Sequence, residues 1–175
     1  PAATETHTAP RSIRPSEISS ARNGWKIYKN YFPQHEYQIE IPESWKVSTY
    51  KDGTAAFDPV RVITEEEYAE LDLAPGAITI RPLDAWTSSA VGVSSLEQKL
   101  IGARGMIETR YSKRIGNPEE TPNPFWNDRT SEMYYGWNNT FPNTIEIIYP
   151  NKDAKNTSLH DTFKQISGTL ERIQP

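Results

Sequence analysis

Cysteine is absent from the 175 residues, which removes disulfides, thiolate metal sites and cysteine nucleophiles. Histidine is scarce: His7, His35 and His160 are all there are, too little for a histidine-rich metal or acid–base centre. No uninterrupted apolar run approaches the ~18 residues that cross a bilayer, so membrane association is expected only through an N-terminal anchor. Positive charge is not in excess either. Lys and Arg number 19 against 23 Asp and Glu, a formal charge of −4, whereas nonspecific nucleic-acid binding needs a basic footprint to displace counterions. No nucleic-acid partner is expected. Hydrophobic residues make up only 35%, yet five Trp, nine Tyr and five Phe carry large buried areas per side chain, and aromatic packing is expected to supply much of one core.

Residues 1–23 are rich in Ala, Thr, Ser and Pro and lack apolar periodicity. They read as a flexible leader or linker, joining a single domain over 24–175 to a removed signal, a lipid anchor or a partner. A start at Pro1 suits a processed chain. Tyr37-Gln-Ile39-Glu-Ile41 alternates apolar with polar, and Pro42 ends it; Trp45 to Tyr50 and Thr54 to Phe57, separated by an Asp52-Gly53 turn, continue what reads as an antiparallel meander. Thr64-Glu-Glu-Glu67 has the spacing of a capping box and predicts a short helix from Glu65 to Leu71. Ala77 to Ile80 is a compact strand pattern.

A main helix is expected from Ser94 or Ser95, because Leu96, Leu100, Ala103, Ile107 and Tyr111 recur at steps of four and three. Gly102 and Gly105 weaken it and suggest close packing against a neighbour. Prolines make 116–124 a loop. Residues 129–137 and 144–149 form a long hairpin in this reading, and Leu159, Phe163, Ile166, Leu170 and Ile173 stripe a C-terminal helix capped by Ser158. The sum is an α+β fold, an antiparallel β-sheet flanked by α-helices.

That order of elements, with Pro42-Glu-Ser-Trp45 near the start and Phe163-Lys-Gln-Ile166-Ser167-Gly-Thr169-Leu170 near the end, resembles the PsbP-like family over roughly residues 25–174. The resemblance implies a PsbP-like α+β sandwich without a catalytic centre or cofactor, and an extracytoplasmic accessory protein: secreted, periplasmic, lumenal or tethered as a lipoprotein. The insertion between Pro59 and Gly76 and the proline-rich loop depart from that family's compact pattern, so no specific photosystem role is carried over.

Motifs for chemistry are few. Gly92-Val-Ser94-Ser-Leu96 lacks the second glycine of a nucleophile elbow, and Ser94 and Ser95 already serve as helix caps in this reading. His35-Glu36 lacks the second His of a zinc-protease helix. His160 with Asp161 could join a weak surface metal site, but a helix-start His beside a capping Asp is more often structural, and no metal ligand is assigned. Asn138-Asn-Thr140 and Asn156-Thr-Ser158 match the glycosylation triplet, which matters only in a secretory pathway. Aromatic residues beside Arg in Phe125, Trp126, Arg129, Tyr135 and Trp137 suit recognition of a protein surface; the same alternation also sends rings into a core. The expected function is non-enzymatic binding of a protein partner, with a hydrolase whose carboxylates converge only in space, or a carbohydrate-binding module, as the alternatives.

Overall fold

The computed structural model describes residues 14–71, 77–83, 97–115, 129–136, 141–151 and 157–173. The chain opens with strands β1 (Glu17–Ser20), β2 (Trp25–Asn30) and β3 (Tyr37–Pro42), joined by tight turns into an antiparallel ribbon. Strand β1 falls within the stretch that composition assigns to the leader. The alternation in Tyr37-Gln-Ile-Glu-Ile is realised as Tyr37, Ile39 and Ile41 buried and Gln38 and Glu40 half-buried. Two more residues at the far end of the chain, β11 (Glu171–Arg172), pair with Gln38 and Tyr37 and complete a four-stranded sheet, β1-β2-β3-β11.

A second, seven-stranded antiparallel sheet holds the rest. It uses β4 (Lys46–Thr49), β5 (Ala55–Asp58), β6 (Ile78–Pro82), β7 (Glu97–Ile101), β8 (Ile107–Ile115), β9 (Arg129–Gly136) and β10 (Asn143–Pro150), in the order β4-β5-β6-β10-β9-β8-β7. The meander expected from β3 through β5 is therefore interrupted: the turn at 43–45 carries the chain from one sheet to the other. Lys26 fixes that crossover, its ammonium donating to the carbonyls of Glu43 (3.0 Å) and Trp45 (2.6 Å).

Only two α-helices occur among the described residues, α1 (Glu65–Leu71) and α2 (Thr157–Ser167). Helix α1 starts as its capping box requires, with the Thr64 hydroxyl accepting from Glu67 N (3.2 Å) and the Glu67 carboxylate accepting from Thr64 N (2.9 Å). Strand outweighs helix there by 52% to 16%. That overturns the expected α+β architecture of one sheet flanked by helices; the protein is mostly β, built from two antiparallel sheets. The largest single correction is the main helix over Leu96 to Tyr111, which is a hairpin of β7 and β8. Gly102, Arg104 and Gly105 all have positive φ (83°, 59° and 64°), and three left-handed residues within four cannot continue a right-handed helix. The C-terminal stripe is likewise cut short. Helix α2 ends at Ser167, Leu170 is buried in the following turn, and the chain finishes as β11.

One core joins both sheets and α2. Tyr28 meets Phe57 edge-on at 5.2 Å between ring centroids, and Tyr37 meets Phe141 at 6.0 Å. Ile78, Ile80, Ile145 and Ile147 of the larger sheet and Phe163, Ile166 and Leu170 complete the cluster. Burying each such side chain is worth roughly 1.5–3 kcal/mol, so the aromatic side chains do carry a large share of the core. Glu40 N of β3 donates to the Thr169 hydroxyl at 2.8 Å, which ties the smaller sheet to the turn after α2. On the opposite face of the larger sheet, Tyr68 of α1 stacks on Tyr50 at 4.1 Å, beside Ala56 and Ile63.

Candidate functional site

Strand register decides which side chains of β9 look inward. Phe57, Ile78, Ile147, Glu132 and Lys113 stand in one row across five strands, so Glu132 occupies a position where the pattern expects an apolar residue. Its carboxylate is buried and fully engaged. Oε1 accepts the Tyr149 hydroxyl and lies 3.1 Å from His160 Nε2; Oε2 accepts the Tyr111 hydroxyl at 2.9 Å; the Lys113 ammonium stands 3.7 Å away. The His160 ring also sits edge-on to Tyr149, 4.9 Å between centroids. Four elements, β8, β9, β10 and α2, thus converge on one carboxylate.

Burial alone would raise the pKa of Glu132, but the donors Tyr149, His160 and Tyr111 and the charge of Lys113 outweigh it and hold the carboxyl below its usual range. The same geometry pushes Tyr149 and Tyr111 up, chiefly by burial and then by their bonds to the carboxylate. The neighbouring Tyr134 ring, which burial raises to about 12, closes the group. A base whose lone pairs are occupied by three donors is poorly placed to take a proton from a substrate. Grooves of about 370, 340 and 590 Å3 open elsewhere on the surface, and Glu132 lines none of them.

The other deeply buried carboxylate among the described residues, Glu146, is one residue out of phase with this row. It pairs across the ladder with Met133 and accepts the Ser131 hydroxyl on the opposite face of the sheet. The sheet itself separates Glu132 from Glu146, so these two do not form the converging pair that glycoside hydrolysis uses.

Of the residues singled out for partner binding, Arg129 and Tyr135 lie at opposite ends of β9 on the Glu146 face, six positions or roughly 20 Å apart. Both are half-buried, and the Tyr135 hydroxyl donates to Met133 Sδ at 2.9 Å. Phe125, Trp126 and Trp137 lie outside the described residues, as do Ser94, Ser95 and Asn138. Asp161 is exposed and does not share the Glu132 site with His160. No cluster of three or more His, Asp or Glu able to hold a metal occurs among the described residues. His35 is structural, its Nδ1 2.6 Å from the Pro142 carbonyl.

The tip of the β7–β8 hairpin, residues 102–106, holds the two glycines, Gly102 and Gly105, that weakened the expected helix. Gly102 N donates to Ser167 O (2.9 Å) and Ala103 N to Leu170 O (3.0 Å), which pins the tip to the turn after α2. The next four residues form a tight reversal with Met106 N bonded to Ala103 O at 3.3 Å. Its central pair, Arg104 and Gly105, has the positive φ of the mirror-image hairpin turns. Met106 on the tip is 71% exposed, and Leu100, on β7 just before it, is 62% exposed. The tip also forms one wall of the 590 Å3 groove, which Ile107, Leu170, Glu171 and Arg172 line as well. The chain matches no family model, no curated protein and no solved structure.

Proposed function

We propose that this chain is a non-enzymatic accessory protein that acts by binding another protein. The observation that supports this most directly is the β7–β8 hairpin: two large apolar side chains, Leu100 on β7 and Met106 on the tip, stand in solvent, and backbone hydrogen bonds hold the tip to the turn after α2. Exposed apolar area on a pre-ordered platform is the ordinary raw material of a protein interface. Glu132, the inward-facing carboxylate with histidine beside it among the described residues, is meanwhile occupied by its own neighbours. The aromatic segment with Phe125, Trp126, Arg129, Tyr135 and Trp137 belongs to the same proposal as a second contact region. An extracytoplasmic setting and PsbP-like ancestry belong to it too, resting on the resemblance in Pro42-Glu-Ser-Trp45 and Phe163 to Leu170.

The test is to cross-link the tagged full chain in its native source, purify it, and identify what comes with it. A stoichiometric protein partner is expected, with capture reduced by Met106→Ser or by Trp126→Ala. Recovery of the chain alone, together with turnover on a panel of chromogenic ester and glycoside substrates, would overturn the proposal.

A further inference from the structure

We infer that Asn23 is a site of spontaneous covalent modification, at which the backbone of Gly24 expels the side-chain amide as ammonia and the turn between β1 and β2 is rebuilt around an aspartyl or isoaspartyl residue. This site is independent of the protein-binding reading.

Asn23-Gly24 is the one Asn-Gly pair in the chain. The nucleophile in such a pair is the amide nitrogen of the second residue, and glycine, having no Cβ, leaves that nitrogen unhindered. The pair forms the centre of a four-residue turn, closed by Trp25 N donating to Arg22 O at 2.9 Å. Gly24, at φ 76°, supplies the positive φ that a type II turn needs at its third residue. Arg22, Asn23 and Gly24 are exposed, and beyond its chain neighbours no atom lies within 4 Å of where a Cβ of Gly24 would stand. Among the described residues nothing accepts the Gly24 N–H and nothing holds the Asn23 amide. Nucleophile, electrophile and water therefore meet without a hydrogen bond to break first.

The Gly24 nitrogen, on losing its proton to base, bonds to Asn23 Cγ; the Cγ–Nδ2 bond breaks, ammonia leaves, and a five-membered cyclic imide remains. Water opens that ring. Its addition at Cγ gives an aspartyl residue, and its addition at the main-chain carbonyl gives the isoaspartyl form, in which the main chain runs through Cβ. Water is the only co-reactant, and no electrons are transferred. Either product adds a negative charge to a chain whose formal charge is −4. The isoaspartyl form also lengthens the backbone of a turn whose bonds depend on its length: Ala21 N donates to Trp25 O at 3.1 Å, and Gly24 O accepts Glu43 N of the crossover between sheets at 2.9 Å. Strand β1 is exposed at all four residues and is paired with β2 alone, so a turn of the wrong length releases it.

Asp52-Gly53, the one Asp-Gly pair in the chain, is open to the same cyclisation with loss of water, yet the fold closes it off. Thr54 N donates to Asp52 Oδ1 at 2.9 Å and the Tyr68 hydroxyl to Oδ2. Gly53 N is engaged with Tyr50 O at 3.1 Å, and the Phe32 ring covers Gly53. Reaction there needs a local opening that Asn23 does not.

Ageing the full chain in warm, mildly alkaline buffer, both folded and in urea, tests this, with products located by peptide mapping and isoaspartyl-specific methyl transfer. In the folded chain Asn23 should convert ahead of every other Asn. Folding should slow Asp52 by about tenfold or more beyond whatever slowing it imposes on Asn23. Asn23→Gln, whose longer side chain would have to close a six-membered ring, should age without change at that position. The isoaspartyl fraction should show faster amide exchange across β1, whereas freshly prepared Asn23→Asp, with the charge but the normal linkage, should exchange there as unaged wild type does. An Asn23 that stays intact in the folded chain while the urea-treated chain converts, or equal slowing of the two sites by folding, would overturn the site. Unchanged β1 exchange in the isoaspartyl fraction would overturn its effect on the turn.

Discussion

Replacing Glu132 by Gln keeps the shape of the side chain and removes its charge, so it isolates what the carboxylate does for the fold. In the native cluster two tyrosine hydroxyls and His160 Nε2 donate to a full negative charge. Bonds to charged groups contribute about 1.5–3 kcal/mol each, against about 0.5–1.5 for neutral pairs. Turning the amide oxygen toward Tyr149 and His160 leaves its NH2 against Tyr111, whose hydroxyl can rotate to accept. Three bonds weakened by about 1 kcal/mol each, less the relief of no longer burying an ion, give an expected loss of about 2 kcal/mol. That corresponds to a melting temperature lower by about 4–8 °C. The sign of the pH dependence follows from the lowered pKa of Glu132. Its contribution is fully present above the unfolded-state value of 4.5 and disappears as pH falls through the lower folded-state value. Urea unfolding of both forms across this range should show curves that are apart at neutral pH and converge in acid. A double-mutant cycle with Tyr149→Phe should give a coupling of about 1 kcal/mol or more. A Glu132→Gln protein as stable as wild type at neutral pH, or a deficit that persists undiminished in acid, would refute the cluster as a charge-dependent clasp.

Three further outcomes are expected. Gly136→Ala should be among the most damaging substitutions, because a Cβ there would lie 1.5 Å from the Phe141 carbonyl oxygen; chemical denaturation should show a loss above about 4 kcal/mol, or no folded protein at all. Thr64→Ala removes one half of the capping box and should cost about 1 kcal/mol, seen as faster amide exchange in α1 with little change in β9 and β10. At the alkaline end, burial raises Tyr28, Tyr68 and Tyr134 to about 12, and Tyr37 well above its ordinary value. A raised folded-state value stabilises the protein below the ordinary 10.0 and is lost as pH climbs past it. Phenolate absorbance should therefore appear cooperatively with unfolding, not as a gradual titration.

What the sequence disclosed divides by the range of the interaction. The α1 boundaries were legible because a capping box is local: Thr64 and Glu67 sit three residues apart and need no other part of the chain. The β9–β10 hairpin was legible because its alternation and its turn lie in one stretch. The helix expected over Leu96 to Tyr111 failed on an ambiguity of spacing. Residues four apart, such as Ile107 and Tyr111, share a face in a strand as well as in a helix, and Leu100, counted toward the apolar stripe, turned out to be in solvent. The period-two pattern Ile107-Glu-Thr109-Arg-Tyr111 and the glycines at 102 and 105 favoured a hairpin. Nothing local could show that β3 and β4 belong to different sheets, since alternation specifies a buried face and not a partner strand.

The candidate site was legible only as an inconsistency. Two local rules are broken among the described residues: Glu132 and Glu146 put a charge on a buried row of a strand, and Gln34 and Arg104 put a side chain on a backbone conformation suited to Asn or Gly. Local rules are broken where something else compensates, and the two cases differ in where that compensation lies. For Glu132 it is inside the fold, in Tyr111, Tyr149 and His160, which come from three other elements; the inconsistency is resolved and the role is structural. For Arg104 the described fold supplies no partner, although the hydrogen bonds at Gly102 and Ala103 hold the turn in place. The strain at Arg104 is thus offset by the backbone bonds that pin the turn, and the rise in melting temperature of Arg104→Asn measures how much of it is left.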